Sequence, residues 1–260
     1  MGREGEKREA YLCDHIDSIP STNDFPLSSS SYGKIVLSNS EVNFFQLLLQ
    51  ARESNNLTTE IRVAGGWVRD KLLNFRSSDL DIALDNCTGE EFAQHVLKYL
   101  GSKGKIGKSK ENPEKSKHLA TAFVHIGEFE VDFVNLRTED YTDSRIPQMK
   151  FGTAREDAFR RDFTINALFY NILTNKVEDL TGKGLEDLQK QLLQTPLPAI
   201  QTFADDPLRM LRAIRFATRL SFTLRSDGSA TLFTTYKGWS RTNRKRNISV
   251  SGRSKSACSY

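Results

Sequence analysis

The chain has 260 residues, a formal net charge of +4 and a mean hydropathy of −0.50, which fits one large or two modest water-soluble domains. It contains no apolar run near the ~20 residues that a membrane-spanning helix needs, which argues against a membrane protein. Its three cysteines, Cys13, Cys87 and Cys258, fit no zinc-binding spacing, so we expect reduced thiols in an intracellular protein. The cytoplasm is the default compartment, with the nucleus, mitochondrion and plastid as alternatives.

The positive charge is concentrated near the C-terminal end. Residues 225–260 carry eight lysines and arginines but one aspartate, a local net charge of +7, which leaves −3 for residues 1–224. The overall basicity therefore does not indicate that the body of the protein binds nucleic acid.

The first third of the chain predicts a short series of elements after a polar leader. Residues 1–32 are polar and irregular, which predicts a flexible leader. Residues 42–52 read as an apolar helix with Ser40 as its N-cap. Residues 61–64 then form a short strand that runs into Gly65 and Gly66, and a helix is expected over residues 67–74.

An acidic strand follows this helix. Side chains two residues apart in a strand point the same way, so Asp79 and Asp81 would project together while Leu80 and Ile82 face the core. Two such carboxylates repel each other unless a cation neutralises them, and Mg²⁺ prefers carboxylate and phosphate oxygens. The glycine pair upstream would let backbone N–H groups approach a phosphate at a helix start.

The middle of the chain predicts a helix, a long loop and a hairpin. The helix covers residues 88–100, and the Gly- and Lys-rich residues 101–117 are expected to form a flexible loop. Residues 119–126 and 129–136 then form a hairpin. Asp132 lies on the polar face of its second strand, which makes it a candidate third carboxylate beside Asp79 and Asp81.

Two further segments carry clustered arginines. Residues 160–167 combine Arg160, Arg161, Asp162 and Asn166, and arginine forks bind phosphate oxygens. Asp206 and Pro207 predict the start of a helix that ends near residue 220. We expect four of its residues (Arg209, Arg212, Arg215 and Arg219) to line one face, open to a polyanion, and Leu208, Leu211, Ile214 and Ala217 to line another.

These three motifs together resemble the class II tRNA nucleotidyltransferases (CCA-adding enzymes) and the related poly(A) polymerases. The first motif covers residues 65–81, the second residues 160–167 and the third residues 206–217. Residues 131–137 and 151–157 resemble the eukaryotic CCA-adding branch in particular. The similarity spans about residues 40–222.

The resemblance implies an α+β fold: a polymerase-beta-like nucleotidyltransferase head with a mixed sheet flanked by helices, followed by the start of a helical neck. It implies template-independent transfer of nucleotides from CTP and ATP to the 3′ end of tRNA, assisted by two Mg²⁺ ions. It implies no membrane partner. Its expected residues fall into two groups. The catalytic and metal-binding residues are Asp79 and Asp81, with Asp132 as a further metal ligand; the nucleotide-binding residues are Gly65, Gly66, Arg69, Arg160, Arg161, Asp162, Asn166, Arg209 and Arg212.

The domain boundaries follow from the same comparison. We expect a leader at residues 1–32, a head at 33–195, the start of a neck at 196–224 and a disordered basic tail at 225–260. No Glu-Asp-x-x-Arg motif, which selects the base in this family, follows residue 220. We therefore expect the chain to be an alternative product, from altered splicing or a shifted reading frame, in which an unrelated tail replaces the rest of the neck. We expect it to bind Mg²⁺ and nucleotide weakly and to add CCA poorly or not at all.

Two other functions remain open at this stage. One is a poly(A)-polymerase-like adenylyltransferase of the same superfamily. The other is an inactive isoform whose basic tail binds RNA through phosphate contacts. The oligomeric state cannot be deduced from these features.

Overall fold

The computed structural model describes residues 33–77, 79–101, 107–108, 122–140 and 148–225. The leader predicted for residues 1–32 and the tail from residue 226 lie outside the described residues. The helices are α1 (Asn39–Ser54), α2 (Gly66–Leu72), α3 (Gly89–Tyr99), α4 (Ala154–Phe159), α5 (Gly184–Gln189), α6 (Ala199–Asp205) and α7 (Leu208–Leu220), with a 3-10 turn at Thr164–Asn166. The strands are β1 (Ile61–Ala64), β2 (Asp79–Leu84), β3 (Gly107–Lys108), β4 (Ala122–Ile126), β5 (Phe129–Asn135), β6 (Arg137–Asp140), β7 (Gln148–Phe151), β8 (Leu168–Asn171), β9 (Lys176–Asp179), β10 (Leu192–Leu193) and β11 (Thr223–Leu224).

A mixed sheet forms the centre of the fold, as predicted. Its strand order within the described residues is β3-β4-β5-β2-β1-β8-β9. The pair β2–β5 is parallel, and the other neighbours in this sheet are antiparallel. The acidic strand β2 therefore lies between β1, which precedes the glycine pair, and β5, which carries Asp132. The sheet order places the three sequence features side by side.

The core is built from the inward faces of these strands and the helices that cover them. Leu80, Ile82 and Leu84 are fully buried, as the alternation in β2 predicts, and the ring of Phe92 on α3 contacts Phe133 on β5. α1 also packs against α3, and α2 packs against β1, β2 and β8. This packing fixes α2 beside the end of the acidic strand.

Helix starts are set by local hydrogen bonds in three places. Ser38, Thr88 and Thr153 cap α1, α3 and α4, each in a capping box with the glutamate three residues later. The prediction of Ser40 as the first cap was wrong, because Ser38 with Glu41 provides the reciprocal pair of hydrogen bonds.

Several connections differ from their predictions. The strands β6 and β7, which the sequence did not indicate, pair with each other in an antiparallel arrangement. The long loop expected at 101–117 contains the short strand β3, which pairs with β4. Helix α5 ends at Gln189 and is followed by β10, which pairs with β11. Short elements of this kind are fixed by long-range pairing and leave little local signal.

The orientation of α7 is the largest correction. Leu208, Leu211 and Ile214 are 65%, 65% and 59% exposed, whereas Arg209 is buried. The buried face is formed instead by Met210, Ala213, Phe216 and Leu220. The assignment of the arginines to one open face was therefore wrong, because the face of α7 toward the head also includes an arginine.

Among the described residues, no helix has both the length and the apolar character needed to cross a membrane.

Candidate active site

The carboxylates predicted to act together lie on two adjacent parallel strands. Asp79 and Asp81 are two residues apart on β2, and the register of β2 with β5 places Asp81 opposite Asp132 and Asp79 opposite Glu130. Asp79 is exposed, whereas Asp81 and Asp132 are partly buried. Two neighbouring inner strands of the sheet therefore present these acids side by side.

The electrostatics of these acids favour a cation. Burial raises the pKa of Asp81 to about 6; the Arg161 guanidinium opposes this shift, while the charges of Asp79, Asp132 and Asp157 add to it. Burial, together with the charges of Asp79 and Glu130, also raises the pKa of Asp132. The ionised form of Asp81 is therefore destabilised, and a bound divalent cation would relieve the repulsion.

The donor set fits Mg²⁺ in chemical type. Mg²⁺ prefers carboxylate oxygens and commonly takes one or two carboxylates from the protein, with phosphate oxygens from a substrate. Asp79 and Asp81 supply such a pair. In the part of the chain that the structure describes, no cluster of three or more His, Cys, Asp or Glu side chains has the arrangement of a metal site. The role of Asp132 as a third ligand stays a prediction.

The glycine pair lies at the start of α2. Gly65 is its N-cap residue with φ of +68°, and a Cβ atom at this position would lie 2.7 Å from Nη1 of Arg161. Gly65 thus permits both a left-handed backbone and the close approach of a guanidinium. Gly66 has room for a Cβ atom, whose nearest neighbour would be Nη2 of Arg69 at 3.8 Å. The two glycines therefore have different structural roles.

Arg69 connects the first motif to the second. Its side chain is buried, donates to Asp70 through Nε at 2.8 Å and donates to Oδ1 of Asn166 through Nη1 at 2.5 Å. Asn166 in turn donates to Oδ1 of Asp162 at 3.1 Å. The predicted nucleotide-binding residues of two motifs are thus joined in one buried network, while their contact with a nucleotide stays a prediction.

Arg160 and Arg161 share one buried carboxylate, that of Asp157. Nε of Arg160 donates to Oδ1 of Asp157 at 2.8 Å, and Nε of Arg161 donates to Oδ2 at 2.9 Å. Burial would raise the pKa of Asp157, but the guanidiniums of Arg161 and Arg160 hold it below its ordinary value. Asp157 was not among the sequence-predicted site residues. It lies on α4, three residues before Arg160 and four before Arg161, and this helical spacing could have indicated the contact.

The arginines of the third motif attach α7 to the second motif. Nη2 of Arg209 donates to the backbone oxygen of Arg160 at 2.6 Å, and Nε of Arg212 donates to Oδ2 of Asp162 at 2.7 Å. The guanidinium groups of Arg69 and Arg212 both lie over the ring of Phe216, with their central carbons 5.0 and 5.3 Å from the ring centre. Arg209 and Arg212 were expected to be open to a polyanion, but Arg212 pairs with Asp162, and Nε of Arg209 lies 3.9 Å from Oδ2 of Asp206. The partner of Arg212, Asp162, is 50 residues away in the sequence, so helix spacing could not reveal the pair.

Comparison with known proteins shows which protein family this chain resembles. A family model described as the poly A polymerase head domain matches residues 61–194. The mitochondrial CCA tRNA nucleotidyltransferase of Saccharomyces cerevisiae is 57% identical over 173 residues, which cover 63% of this chain and 32% of that protein. The tRNA nucleotidyltransferase cca2 of Schizosaccharomyces pombe is 46% identical over 209 residues, which cover 74% of this chain and 43% of that protein.

A solved structure agrees with the sequence comparison. The complex of a CCA-adding enzyme with ATP has a TM-score of 0.61 and 27% sequence identity, over 78% of this chain and 43% of that chain. The resemblance to the eukaryotic CCA-adding branch and the expected α+β head fold are therefore confirmed. The present chain spans less than half the length of the curated relatives described above.

Proposed function

Because the chain belongs to the poly(A) polymerase head-domain family, we propose that it carries the nucleotidyl-transfer centre of a CCA-adding tRNA nucleotidyltransferase. The reaction adds C, C and A from CTP and ATP to the 3′ end of tRNA without a template. The observation that carries this proposal is the pairing of Asp79 and Asp81 on β2, next to Arg161 and the Gly65–Gly66 start of α2.

Different residues act on the triphosphate and on the attacking hydroxyl. The 3′ hydroxyl of tRNA attacks the α-phosphate of the incoming nucleotide, and pyrophosphate leaves. Arg161, held over Gly65, is placed to meet the negative charge of the triphosphate, and a guanidinium can contact two phosphate oxygens at once. Asp81 and Asp79 lie on the neighbouring strand, where the attacking hydroxyl and the α-phosphate would meet.

Mg²⁺ would be held by Asp79 and Asp81, and Asp132 is a further candidate ligand. When bound, two such ions would lower the pKa of the attacking hydroxyl and stabilise charge on the leaving pyrophosphate. Burial and, to a lesser extent, the charges of Asp79 and Asp132 raise the pKa of Asp81, which supports this assignment because a bound cation would stabilise the ionised carboxylate. The remaining proposed nucleotide contacts are Gly66, Arg69, Arg160, Asp162, Asn166, Arg209 and Arg212. The hydrogen bonds that join Arg69 to Asn166, Asn166 to Asp162, Arg212 to Asp162 and Arg209 to Arg160 support a shared role for them.

The proposed domain organisation follows the same residues. Residues 33–195 form the nucleotidyltransferase head, and residues 196–224 begin a helical neck. The hydrogen bonds from α7 to Arg160 and Asp162 support a neck that is docked on the head and contributes to the shape of the site.

Incorporation of labelled nucleotides into a tRNA that lacks its 3′ CCA tests the proposal. The purified chain is given CTP alone, ATP alone or both, with Mg²⁺, at enzyme concentrations above the tRNA concentration. Slow addition of C, C and then A is expected, in line with the weak activity inferred from the sequence, and D79N/D81N is the negative control. Long runs of A from ATP alone would support an adenylyltransferase instead.

A further outcome bears on the other alternative. Salt-sensitive RNA binding without any nucleotide transfer, unchanged in D79N/D81N, would support a non-enzymatic RNA-binding protein.

The cytoplasm remains the proposed compartment. The mitochondrial name of the yeast relative makes the mitochondrion the second compartment to test. Microscopy of the tagged protein distinguishes the two.

A further inference from the structure

Asp157 is the most deeply buried carboxylate in the neighbourhood of the site. Its side chain is 1% exposed, and it lies on α4 rather than on the acidic strand. It accepts hydrogen bonds from the Arg160 and Arg161 guanidiniums and from the backbone N–H of Arg137 at 3.2 Å. A buried carboxylate with this many donors is fixed in position, since every alternative orientation leaves charged groups unpaired.

Arg161 is held at both ends of its guanidinium. Nε and Nη2 contact Oδ2 of Asp157 at 2.9 and 2.8 Å, while Nη1 donates to the backbone oxygen of Asn166 at 3.3 Å. The plane of the group also lies over the ring of Phe169, with the central carbon 5.1 Å from the ring centre. These contacts leave Arg161 little rotational freedom.

The guanidinium of Arg161 points toward the proposed nucleotide site. Its Nη1 lies so close to Gly65 that a Cβ atom there would be 2.7 Å away, and its charge acts on Asp81 across the sheet. The guanidinium therefore lies against the glycine turn at the start of α2, where the triphosphate is expected, and within electrostatic reach of Asp81.

We propose that Asp157 is a positioning residue, which orients the Arg161 guanidinium against Gly65 so that it can bind the triphosphate of the incoming nucleotide. This inference rests on the proposed function. Asp157 itself does not contact the nucleotide; it acts through Arg161. Different acids therefore have different roles: the buried Asp157 positions the arginine, whereas Asp79 and Asp81 on the acidic strand are the candidate metal ligands.

The first measurement concerns the orientation of Arg161 and needs no nucleotide. In ¹⁵N-arginine spectra of the wild-type chain, the Nε–H signal of Arg161, assigned from its loss in R161M, should exchange slowly with solvent. In D157N the protection of this signal should be lost. Asp187→Asn is the matched control, because Asp187 is also buried and accepts a hydrogen bond from Thr164 on a different helix.

The second measurement is the affinity for CTP and for cytidine in the presence of Mg²⁺. D157N should weaken CTP binding by about tenfold or more, the scale expected for a hydrogen bond to a charged group, with little change for cytidine. D157N should add nothing further in the R161M background, because both substitutions remove the same contact. A general loss of structure would instead weaken both ligands and add to R161M.

The results separate the inference from the function on which it rests. Retention of the protected Arg161 signal in D157N, or equal loss of CTP and cytidine affinity, would overturn the positioning role alone. Absence of CTP and ATP binding by the wild-type chain would overturn the proposed function and the role of Arg161 in it. If D157N does not fold, D157E replaces it: the longer carboxylate keeps the charge, should displace Arg161 and should weaken CTP binding selectively.

Discussion

Asn166 accepts a hydrogen bond of 2.5 Å from Nη1 of Arg69, and both side chains are buried. The two residues lie 97 positions apart in the sequence, so this contact joins α2 to the second motif. Asn166 also donates a hydrogen bond to Asp162, which accepts one from Arg212 of α7. The pair is therefore the middle of a chain of contacts that joins all three sequence motifs.

Replacement of Asn166 by alanine should destabilise the protein by about 1–3 kcal/mol, because it leaves a buried charged donor without its acceptor. Urea unfolding followed by circular dichroism measures the change. Asn43→Ala is the control, since Asn43 is exposed on α1; its effect should stay within about 0.5 kcal/mol. Equal stabilities of the N166A variant and the wild type would show that the buried contact contributes nothing.

Asp81 should make stability depend on pH in the absence of Mg²⁺. Its pKa is about 6 in the folded chain against an ordinary value of 3.8, so the folded state binds the proton more tightly than the unfolded state. Stability should therefore decline as the pH rises from about 4 to about 6 and stay reduced above that range, by at most about 3 kcal/mol. The D81N variant should accordingly be more stable than the wild type at pH 7 and nearly equal to it at pH 4.

Urea midpoints at pH 4, 5, 6 and 7 in EDTA measure this difference. Glu128→Gln removes the same charge from an exposed turn and should follow the wild-type profile. Addition of Mg²⁺ at pH 7 should stabilise the wild type but not D81N, since only the wild type retains both carboxylates. A wild-type profile that runs parallel to that of D81N from pH 4 to 7 would show that Asp81 has no raised pKa.

The sequence was most informative where chemistry depends on residues close together. Asp79 and Asp81 share a face because strand geometry alternates side chains, and this holds in any fold that makes the segment a strand. The parallel pairing that brings Asp132 opposite Asp81 could be suggested but not fixed, because register depends on the whole sheet. The fold of the head followed mainly from the family resemblance carried by these motifs.

The arginines were less predictable. Their positions along the chain suggested open cationic groups, but Arg69, Arg160 and Arg161 each contact a buried or partly buried acid. A guanidinium has the same appearance in a sequence whether it binds a ligand or an internal carboxylate. The deciding partner of Arg161, Asp157, is four residues away, whereas that of Arg69, Asn166, is brought near only by the tertiary fold.

The two faces of α7 should differ in how strongly a substitution changes the stability of the protein. Leu211 is 65% exposed, so Leu211→Glu should change stability by no more than about 0.5 kcal/mol and should raise solubility. Phe216 is buried against Phe163 and beneath two guanidinium groups, so Phe216→Ala should destabilise by about 3–5 kcal/mol. Urea unfolding and the concentration at which each variant precipitates provide the measurements. A larger effect of L211E than of F216A would reverse the assigned faces.

The adjacent glycines provide the sharpest comparison at the site. Gly65→Ala places a methyl group 2.7 Å from Nη1 of Arg161 and forces alanine to adopt φ of +68°, so we expect a loss of at least about 1 kcal/mol and weaker CTP binding. Gly66→Ala adds a methyl group at ordinary contact distance in the first turn of α2, where alanine favours the helix by up to about 1 kcal/mol. Thermal unfolding of both variants should therefore shift in opposite directions. A stabilised G65A variant would mean that Arg161 does not lie over the glycine, and the proposed position of the triphosphate would have to be abandoned.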